Sequence, residues 1–197
     1  DAGISDDSYA GHLLADYDGG GYSYSSGALQ AAGITPGASL LSHGQSFIWP
    51  NLPTSTRDNY QADGQTIRVI PIAQANRLAF LGSATNGNAS GTATIHYTDG
   101  SSQDFTLGFT NWTKTVPAFG NTVAATMAYR NGPRGKQQRK VSVFSAEIAL
   151  EAGKTLKSVT LPAASTGTNR LHVFALATTG PLGGDNNIGT SDDSNTR

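Results

Sequence analysis

The sequence predicts an all-β fold, an antiparallel β-sandwich or jelly roll with one short helix near residues 26–32. About nine short segments rich in β-branched and aromatic residues follow one another, separated by turn-forming residues. Strands and helices do not alternate along the chain, as a parallel sheet would require. The length of 197 residues suits a single domain of this class.

The helix is predicted from local composition. Residues 26–32 read S-G-A-L-Q-A-A, in which Ala and Leu favour helix. Ser25 or Ser26 can cap its first turn, and Gly33 ends it. The preceding Asp18-Gly19-Gly20-Gly21 predicts irregular structure, because three glycines leave the backbone too free for a regular element.

Turn residues separate the predicted strands, and one turn is a strong hairpin signal. Thr98-Asp99-Gly100-Ser101 joins two alternating segments, and Asp-Gly favours the tight turns of hairpins. Pro71 predicts a strand end or an edge strand, because proline lacks the N–H that a central strand donates. The predicted strands are residues 46–49, 66–72, 77–81, 91–97, 103–109, 123–130, 141–147, 158–161 and 171–178.

The sequence nearly repeats its first nine residues close to its other end. Residues 1–9 read D-A-G-I-S-D-D-S-Y, and residues 187–195 read N-I-G-T-S-D-D-S-N. We therefore predict a β-sandwich accessory module over residues 1–179, followed by a linker and the truncated start of a following repeat over residues 180–197. A further possibility is that neighbouring chains exchange the two copies.

Composition excludes several classes of function. Net charge is −1, so no overall field attracts nucleic acid or an anionic membrane. The sequence contains no Cys, which excludes disulfides, thiolate metal sites and a Cys nucleophile. No apolar run approaches the roughly 20 residues that span a bilayer. Charged residues are only 14%, and low charge with many small polar residues is typical of secreted all-β proteins.

Motifs of catalysis are missing from the sequence. It contains no G-x-S-x-G elbow, no H-E-x-x-H pair and no phosphate-binding loop. Glycosidase chemistry needs two carboxylates placed across a cleft, whereas Glu147 and Glu151 flank the end of one predicted strand. We therefore predict that the chain is not an enzyme.

Several motifs, in the same order along the chain, resemble a known kind of module. They are Y-D-G-G-G-Y-S-Y-S, A-L-Q-A-A-G-I-T-P-G, F-I-W-P-N-L-P, D-N-Y-Q-A-D-G-Q-T-I, F-L-G-S-A-T-N-G, Y-T-D-G, N-W-T, Y-R-N and H-V-F-A-L. The set resembles a non-catalytic module of secreted, multi-modular actinobacterial glycoside hydrolases of mannosidase and fucosidase type. The resemblance implies a β-sandwich attached to a carbohydrate-active enzyme. Asn111 stands where that family usually has Asp.

Aromatic and planar polar side chains are the candidates for sugar binding. A pyranose stacks its apolar face on an aromatic ring, while neighbouring groups bond its hydroxyls. Trp112, in the polar context T-N-W-T-K, is the predicted platform; the alternative is that it folds back onto the sandwich. Arg130 either donates hydrogen bonds to sugar hydroxyls or braces two loops through an ion pair with an Asp. The predicted ligand-binding residues are Trp112, Arg130, Tyr22, Tyr60 and Asn111.

Two tyrosines and one histidine of the sequence also have a structural interpretation. Tyr22 and Tyr60 lie in loops and can pin those loops instead of binding a sugar. His172 lies inside L-H-V-F-A-L, and we expect it to be buried and hydrogen-bonded. The basic run at residues 134–140 predicts a solvated hairpin loop, or contact with an acidic polysaccharide or a catalytic domain.

A structural calcium ion is the one cofactor that the sequence suggests. Calcium binds six to eight oxygens, and several Asp residues lie in loops rich in backbone carbonyls. Asp16, Asp18 and Asp58 are the predicted ligands. The alternative is that they serve as cap or turn residues.

Together these features predict a carbohydrate-binding accessory module of a secreted glycoside hydrolase. It would hold the enzyme near a polysaccharide or glycan, with the catalytic domain of the parent enzyme as a second partner. We expect an extracellular location and no partner among nucleic acids or membranes. The alternative is a structural spacer or interdomain packing module without a ligand, and the third possibility is an enzyme domain.

Overall fold

The computed structural model describes residues 1–164, 167–179 and 186–189. One α-helix, α1, covers Ser26–Ala31, and a 3₁₀ turn covers Gly11–Leu13. The strands are β1 Ile4–Ser5, β2 Ser23–Ser25, β3 Ser39–Ser42, β4 Gln45–Ile48, β5 Tyr60–Gln61, β6 Thr66–Ile72, β7 Arg77–Thr85, β8 Ala89–Tyr97, β9 Ser102–Phe109, β10 Thr122–Met127, β11 Arg130–Gly132, β12 Gly135–Gln137, β13 Val141–Ala149, β14 Leu156–Thr160, β15 Arg170–Thr179 and β16 Asn186–Gly189.

Two antiparallel sheets form the sandwich. The central sheet has the order β10-β13-β7-β15-β16, with β5 also paired to β15. The second sheet has the order β6-β14-β8-β9, so β6, which contains Pro71, is an edge strand as predicted. The predicted all-β fold with one short helix is confirmed, and each predicted strand overlaps an observed one.

A third layer covers the outer face of the central sheet. It consists of the small sheet β1-β2-β11-β12, the helix α1 and the hairpin β3-β4. Because both faces of the central sheet are covered, every residue of β7 except Arg77 is buried. Alternate side chains of β7 enter two different cores: Phe80 packs between the two sheets, and Leu81 packs beneath the third layer.

Aromatic residues dominate the core beneath the third layer. The Trp49 ring stacks on Phe174 at 4.9 Å between centroids, and Tyr17 and Tyr24 lie 5.1 Å apart. All four rings are buried, since none exceeds 2% exposure. This core fixes the third layer, which carries Arg130 in β11 and Tyr22 directly before β2.

Local signals in the sequence correctly placed the helix start and one hairpin. The Ser25 hydroxyl accepts a hydrogen bond from the Ala28 N–H at 3.0 Å, as an N-cap does. At the β8–β9 turn, the Asp99 carboxylate accepts from the Ser101 N–H at 2.9 Å. Gly100 there has a φ of 86°, which glycine adopts without steric cost.

The region predicted as a linker contains a strand. Asn186–Gly189 forms β16, which pairs antiparallel with β15, with Ile188 opposite Leu176. The rest of the predicted linker and repeat start, residues 180–185 and 190–197, lies outside the described residues. The division at residue 179 stays a prediction.

Candidate functional site

Trp112, the predicted stacking platform, lies in the core. It is 1% exposed and packs edge-on against Tyr17 at 5.1 Å and Tyr24 at 4.9 Å between ring centroids. Its backbone N–H donates to the Ala84 carbonyl at 2.8 Å, and its carbonyl accepts from the Ser142 N–H at 2.7 Å. No face of the indole is left for a sugar ring, so the prediction of a platform at Trp112 is wrong.

Arg130 and Tyr22 interact with each other. The guanidinium carbon lies 3.7 Å from the centroid of the Tyr22 ring, and Arg130 is only 8% exposed. Arg130 Nε donates to Gln137 Oε1 at 2.6 Å, and Nη1 lies 3.6 Å from Asp18 Oδ2. Burial lowers the pKa of Arg130, and the nearby Asp18 carboxylate opposes that shift. These groups brace the third layer, as in the alternative given for Arg130, and the sugar-binding role of Arg130 and Tyr22 stays a prediction.

Tyr60 and Asn111, the other two predicted ligand residues, also have structural contacts. Tyr60 is half-buried against the core between the sheets, and it pairs with Val173 through β5 and β15. The Asn111 side-chain oxygen accepts from the Thr113 N–H at 2.9 Å and from the Thr113 hydroxyl at 2.7 Å. Asn111 therefore stabilises the turn that leads into Trp112.

The predicted calcium ligands do not come together. Asp16 Oδ1 accepts from the Gly21 N–H at 2.8 Å, and Asp18 Oδ1 accepts from the Gly20 N–H at 2.9 Å. Asp58 is buried elsewhere, beside the N-terminal residues. Within residues 1–164 and 167–179, no three His, Cys, Asp or Glu side chains gather as metal ligands. The prediction of these three residues as one calcium site is wrong, because their oxygens serve turns and backbone N–H groups.

A buried polar network connects Asp58 to His172. Asp58 accepts from the backbone N–H groups of Gly3 and Ile4, each at 2.9 Å. The Asn59 amide donates to Asp58 Oδ1 at 2.7 Å, so its oxygen accepts from His172 Nδ1 at 2.9 Å. Burial raises the pKa of Asp58 to about 6 and lowers that of His172 to about 3. His172 is buried and hydrogen-bonded as predicted.

The two Glu residues of the sequence each pair with a cation. Glu147 Oε1 accepts from Arg77 Nη1 at 2.7 Å, and Glu151 forms an ion pair with Lys154 three residues later. In these positions each carboxylate is the partner of a surface cation.

An open cleft with an exposed aromatic ring lies between the 3₁₀ turn and the β11–β12 hairpin. Its volume is about 410 Å³. The Tyr9 side chain is 91% exposed there, and its ring meets the His12 ring at 6.0 Å and 71°. We call this the Tyr9 cleft, and its lining residues are Asp7, Tyr9, His12, Leu13, Pro133, Arg134 and Gly135.

Asp7 is the fixed anion of the Tyr9 cleft. Its Oδ2 accepts from the Tyr129 hydroxyl at 2.7 Å, and its Oδ1 accepts from Asn131 Nδ2 at 2.9 Å and from the Ser25 hydroxyl. Partial desolvation raises the pKa of Asp7, but these hydrogen bonds outweigh it and hold the pKa below its usual value. The cleft therefore offers a carboxylate acceptor, a guanidinium donor and an aromatic face.

A second concavity is mostly apolar. It lies between α1 and residues 49–54, has a volume of about 260 Å³, and includes Leu29, Ile34, Pro50 and Pro53 in its walls. The aromatic ring in its wall, Trp49, is 2% exposed and is held by Phe174. This groove lacks the open ring face that sugar stacking needs.

Tyr9, His12 and Arg134 were not predicted as members of one site. Tyr9 stands in a polar stretch, S-D-D-S-Y-A-G, where an aromatic residue has few apolar neighbours to pack against. A polar context of the same kind predicts an exposed ring at Trp112, so the signal was also present for Tyr9. The pairing of residues 7–13 with residues 133–135 across the fold could not be read from the sequence.

Comparisons with known proteins identify the domain type. Residues 4–182 match a family model described as an AziU2-like beta-sandwich domain. No curated protein matches the chain. Among the described helices, none has the length and apolar character required to cross a bilayer.

Proposed function

This chain belongs to the AziU2-like β-sandwich domain family, and on that premise we propose that it is a non-catalytic carbohydrate-binding module. The module binds a glycan in the Tyr9 cleft. The observation that carries the proposal is the ring of Tyr9, 91% exposed in a concavity that also contains Asp7, His12 and Arg134. An aromatic face beside convergent polar groups is the arrangement that sugar binding uses.

Each wall of the Tyr9 cleft has a defined chemical task in this proposal. The Tyr9 ring stacks on the apolar face of a pyranose. Arg134 donates to ring hydroxyls or to a sugar carboxylate, because its planar guanidinium presents several N–H groups. His12 is only 5% exposed and its Nδ1 is bonded to the Ser8 carbonyl at 3.0 Å, so it supports the Tyr9 ring instead of binding a hydroxyl. Asp7 accepts from another hydroxyl.

The wider setting is proposed from the sequence motifs. Their likeness to modules of secreted actinobacterial glycoside hydrolases supports an extracellular accessory role, with a catalytic domain of the same protein as a partner. In that role the module keeps its enzyme near a polysaccharide. A single shallow cleft binds weakly, and linked modules gain affinity through effective concentration.

A glycan array followed by calorimetry tests this proposal. We expect binding to at least one glycan class, and Tyr9→Ala should weaken it about tenfold or more because stacking is lost. Phe119→Ala is the matched control, since Phe119 is 51% exposed but does not line the cleft. Equal affinities of Tyr9→Ala and the unaltered protein would place the site elsewhere. Binding to no plant, fungal, host or bacterial glycan would argue against the function itself.

A specific observation favours interdomain packing as a second candidate. Leu13 and Leu14 are 60% and 64% exposed, close in sequence to the exposed Tyr9. Apolar side chains grouped on a surface are typical of protein interfaces. If the module packs against a neighbouring domain, Leu14→Ser should weaken that contact and leave glycan binding unchanged, because Leu14 does not line the cleft.

A further inference from the structure

The two near-identical segments of the chain have a structural meaning. Residues 3–8 read G-I-S-D-D-S, and residues 189–194 read G-T-S-D-D-S. We infer that residues 189–194 of one molecule can take the place of residues 3–8 in a second copy of this chain. The partner of this surface is therefore another copy, joined head to tail.

Side chains of the third layer hold Ser5 specifically. We call the group formed by Ser23, Ser25, Tyr129 and Asn131 the N-terminal cradle. The buried Ser5 hydroxyl lies 2.7 Å from the Ser23 hydroxyl and accepts from Asn131 Nδ2 at 3.0 Å. Backbone pairing adds to this, because β1 runs parallel to β2. Ser191 retains this hydroxyl in the second segment.

Asp7 makes the largest number of contacts with the N-terminal cradle. It accepts hydrogen bonds from Ser25, Tyr129 and Asn131. A carboxylate that receives three donors is bound more strongly than a neutral group in the same place. Asp193 retains this carboxylate in the second segment.

Asp6 and Ser8, which are also identical in the second segment, interact with each other inside the first segment. The Ser8 N–H donates to Asp6 Oδ1 at 2.8 Å, which forms a turn inside the segment. Asp192 and Ser194 supply the same pair of groups. The second segment therefore has the same residue pair that forms this turn in the first.

Gly3 has no room for a side chain. A Cβ atom there would lie 2.8 Å from Asn59 Nδ2 and 2.9 Å from the Tyr17 ring. The second segment has Gly189 at this position, so it passes the same steric restriction once Gly189 leaves its pairing with Ala175 at the end of β16. The single difference is Thr190 in place of Ile4, which puts a hydroxyl where a buried methyl-rich side chain packs.

This difference predicts the order of preference. In an unperturbed molecule the first segment occupies the N-terminal cradle, because Ile4 packs better there than Thr190 does. The first segment is also tethered close to its own cradle, which raises its effective concentration. Exchange becomes detectable when the first segment is weakened. Since the second segment of one molecule fills the cradle of the next, the contact is heterologous and builds open chains.

A pair of variants tests the inference with the full chain. Asp7→Ala weakens the first segment, so we expect oligomers whose mass in light scattering increases with protein concentration. Asp7→Ala/Asp193→Ala removes the carboxylate from both segments and should remain monomeric. The same oligomeric state for the two variants would overturn the inference, whichever state that is.

Disulfide trapping gives a readout that does not depend on Asp7. The chain has no Cys, so Ser23→Cys/Ser191→Cys introduces the only pair. Because the hydroxyls of Ser5 and Ser23 lie 2.7 Å apart, a residue that replaces Ser5 comes within disulfide reach of position 23. After refolding from urea at high protein concentration, oxidation should give a ladder of linked chains.

The control for this trap uses a position beyond the repeat. Ser23→Cys/Thr196→Cys places the second thiol on the same segment but outside the matched residues. We expect it to crosslink about tenfold more slowly, since it relies on collision alone. Equal rates for the two pairs, or a bond formed only within one chain, would overturn the assignment to a second copy.

Discussion

The buried His172 makes the stability of this protein depend on pH in a direction that can be calculated. The side chain is 0% exposed, and burial lowers its pKa to about 3 from an ordinary value of 6.5. The unfolded chain takes up a proton below 6.5, whereas the folded protein does not until the pH is near 3. His172 therefore contributes stability above 6.5 that is lost as the pH falls. At about pH 5, which is about 1.5 pH units below 6.5, the free energy of unfolding is lower by about 2 kcal/mol, because each pH unit contributes about 1.4 kcal/mol.

Asp58 acts in the opposite direction. Burial raises its pKa to about 6 from 3.8, so it contributes stability below 3.8 that is lost as the pH rises through about 6. The unaltered protein shows the sum of the two effects. A comparison with His172→Gln isolates the histidine, because Asp58 is present in both proteins. Gln can replace part of the hydrogen bonding to Asn59 and Thr85.

Urea unfolding followed by tryptophan fluorescence measures the effect, since Trp49 and Trp112 are both buried. At about pH 8 the variant should be less stable, through lost packing against Tyr17. Between about pH 8 and about pH 5 the difference should shrink by about 2 kcal/mol. His43→Gln is the control, because its side chain is 61% exposed. A difference that stays constant within about 0.5 kcal/mol over this range would refute the reasoning.

Three other substitutions test the packing. Trp112→Ala should destabilise the fold by about 3–5 kcal/mol in urea unfolding, and a loss below about 1 kcal/mol would contradict its burial. Gly82→Ala should cost about 3 kcal/mol, because the new Cβ would lie 2.1 Å from the His172 carbonyl oxygen. Arg130→Lys should lower stability by about 1–2 kcal/mol through the lost stacking on Tyr22, and an unchanged melting temperature would exclude a bracing role.

Long strands and local turns could be predicted because their signals are local. The strand predicted over residues 141–147 is observed as Val141–Ala149, and that over 171–178 as Arg170–Thr179. Ser25 caps the helix and Asp99 shapes its hairpin through contacts within three residues. In each case the deciding interactions lie within a few positions of the sequence.

The third layer could not be predicted because its pairing is non-local. β1, β2 and β11 are two or three residues long, and Tyr24 pairs with Ile4 on one side and Arg130 on the other. No periodic pattern can arise over so few residues. The burial of Trp112 could not be predicted for the same reason, because its neighbours in sequence are polar whereas Tyr17 and Tyr24, which cover it, are distant in sequence.

The third layer also sets the order of events while the chain is being synthesised. The first part of the layer leaves the ribosome early, but Tyr17 and Tyr24 pack on Phe174, which is made among the last residues of the sandwich. The hydrogen bond between Asn59 and His172 also cannot form until β15 has been synthesised. Tyr17 and Tyr24 therefore stay exposed to water on the nascent chain until β15 has been synthesised. Chaperone binding to the nascent chain should concentrate on this segment.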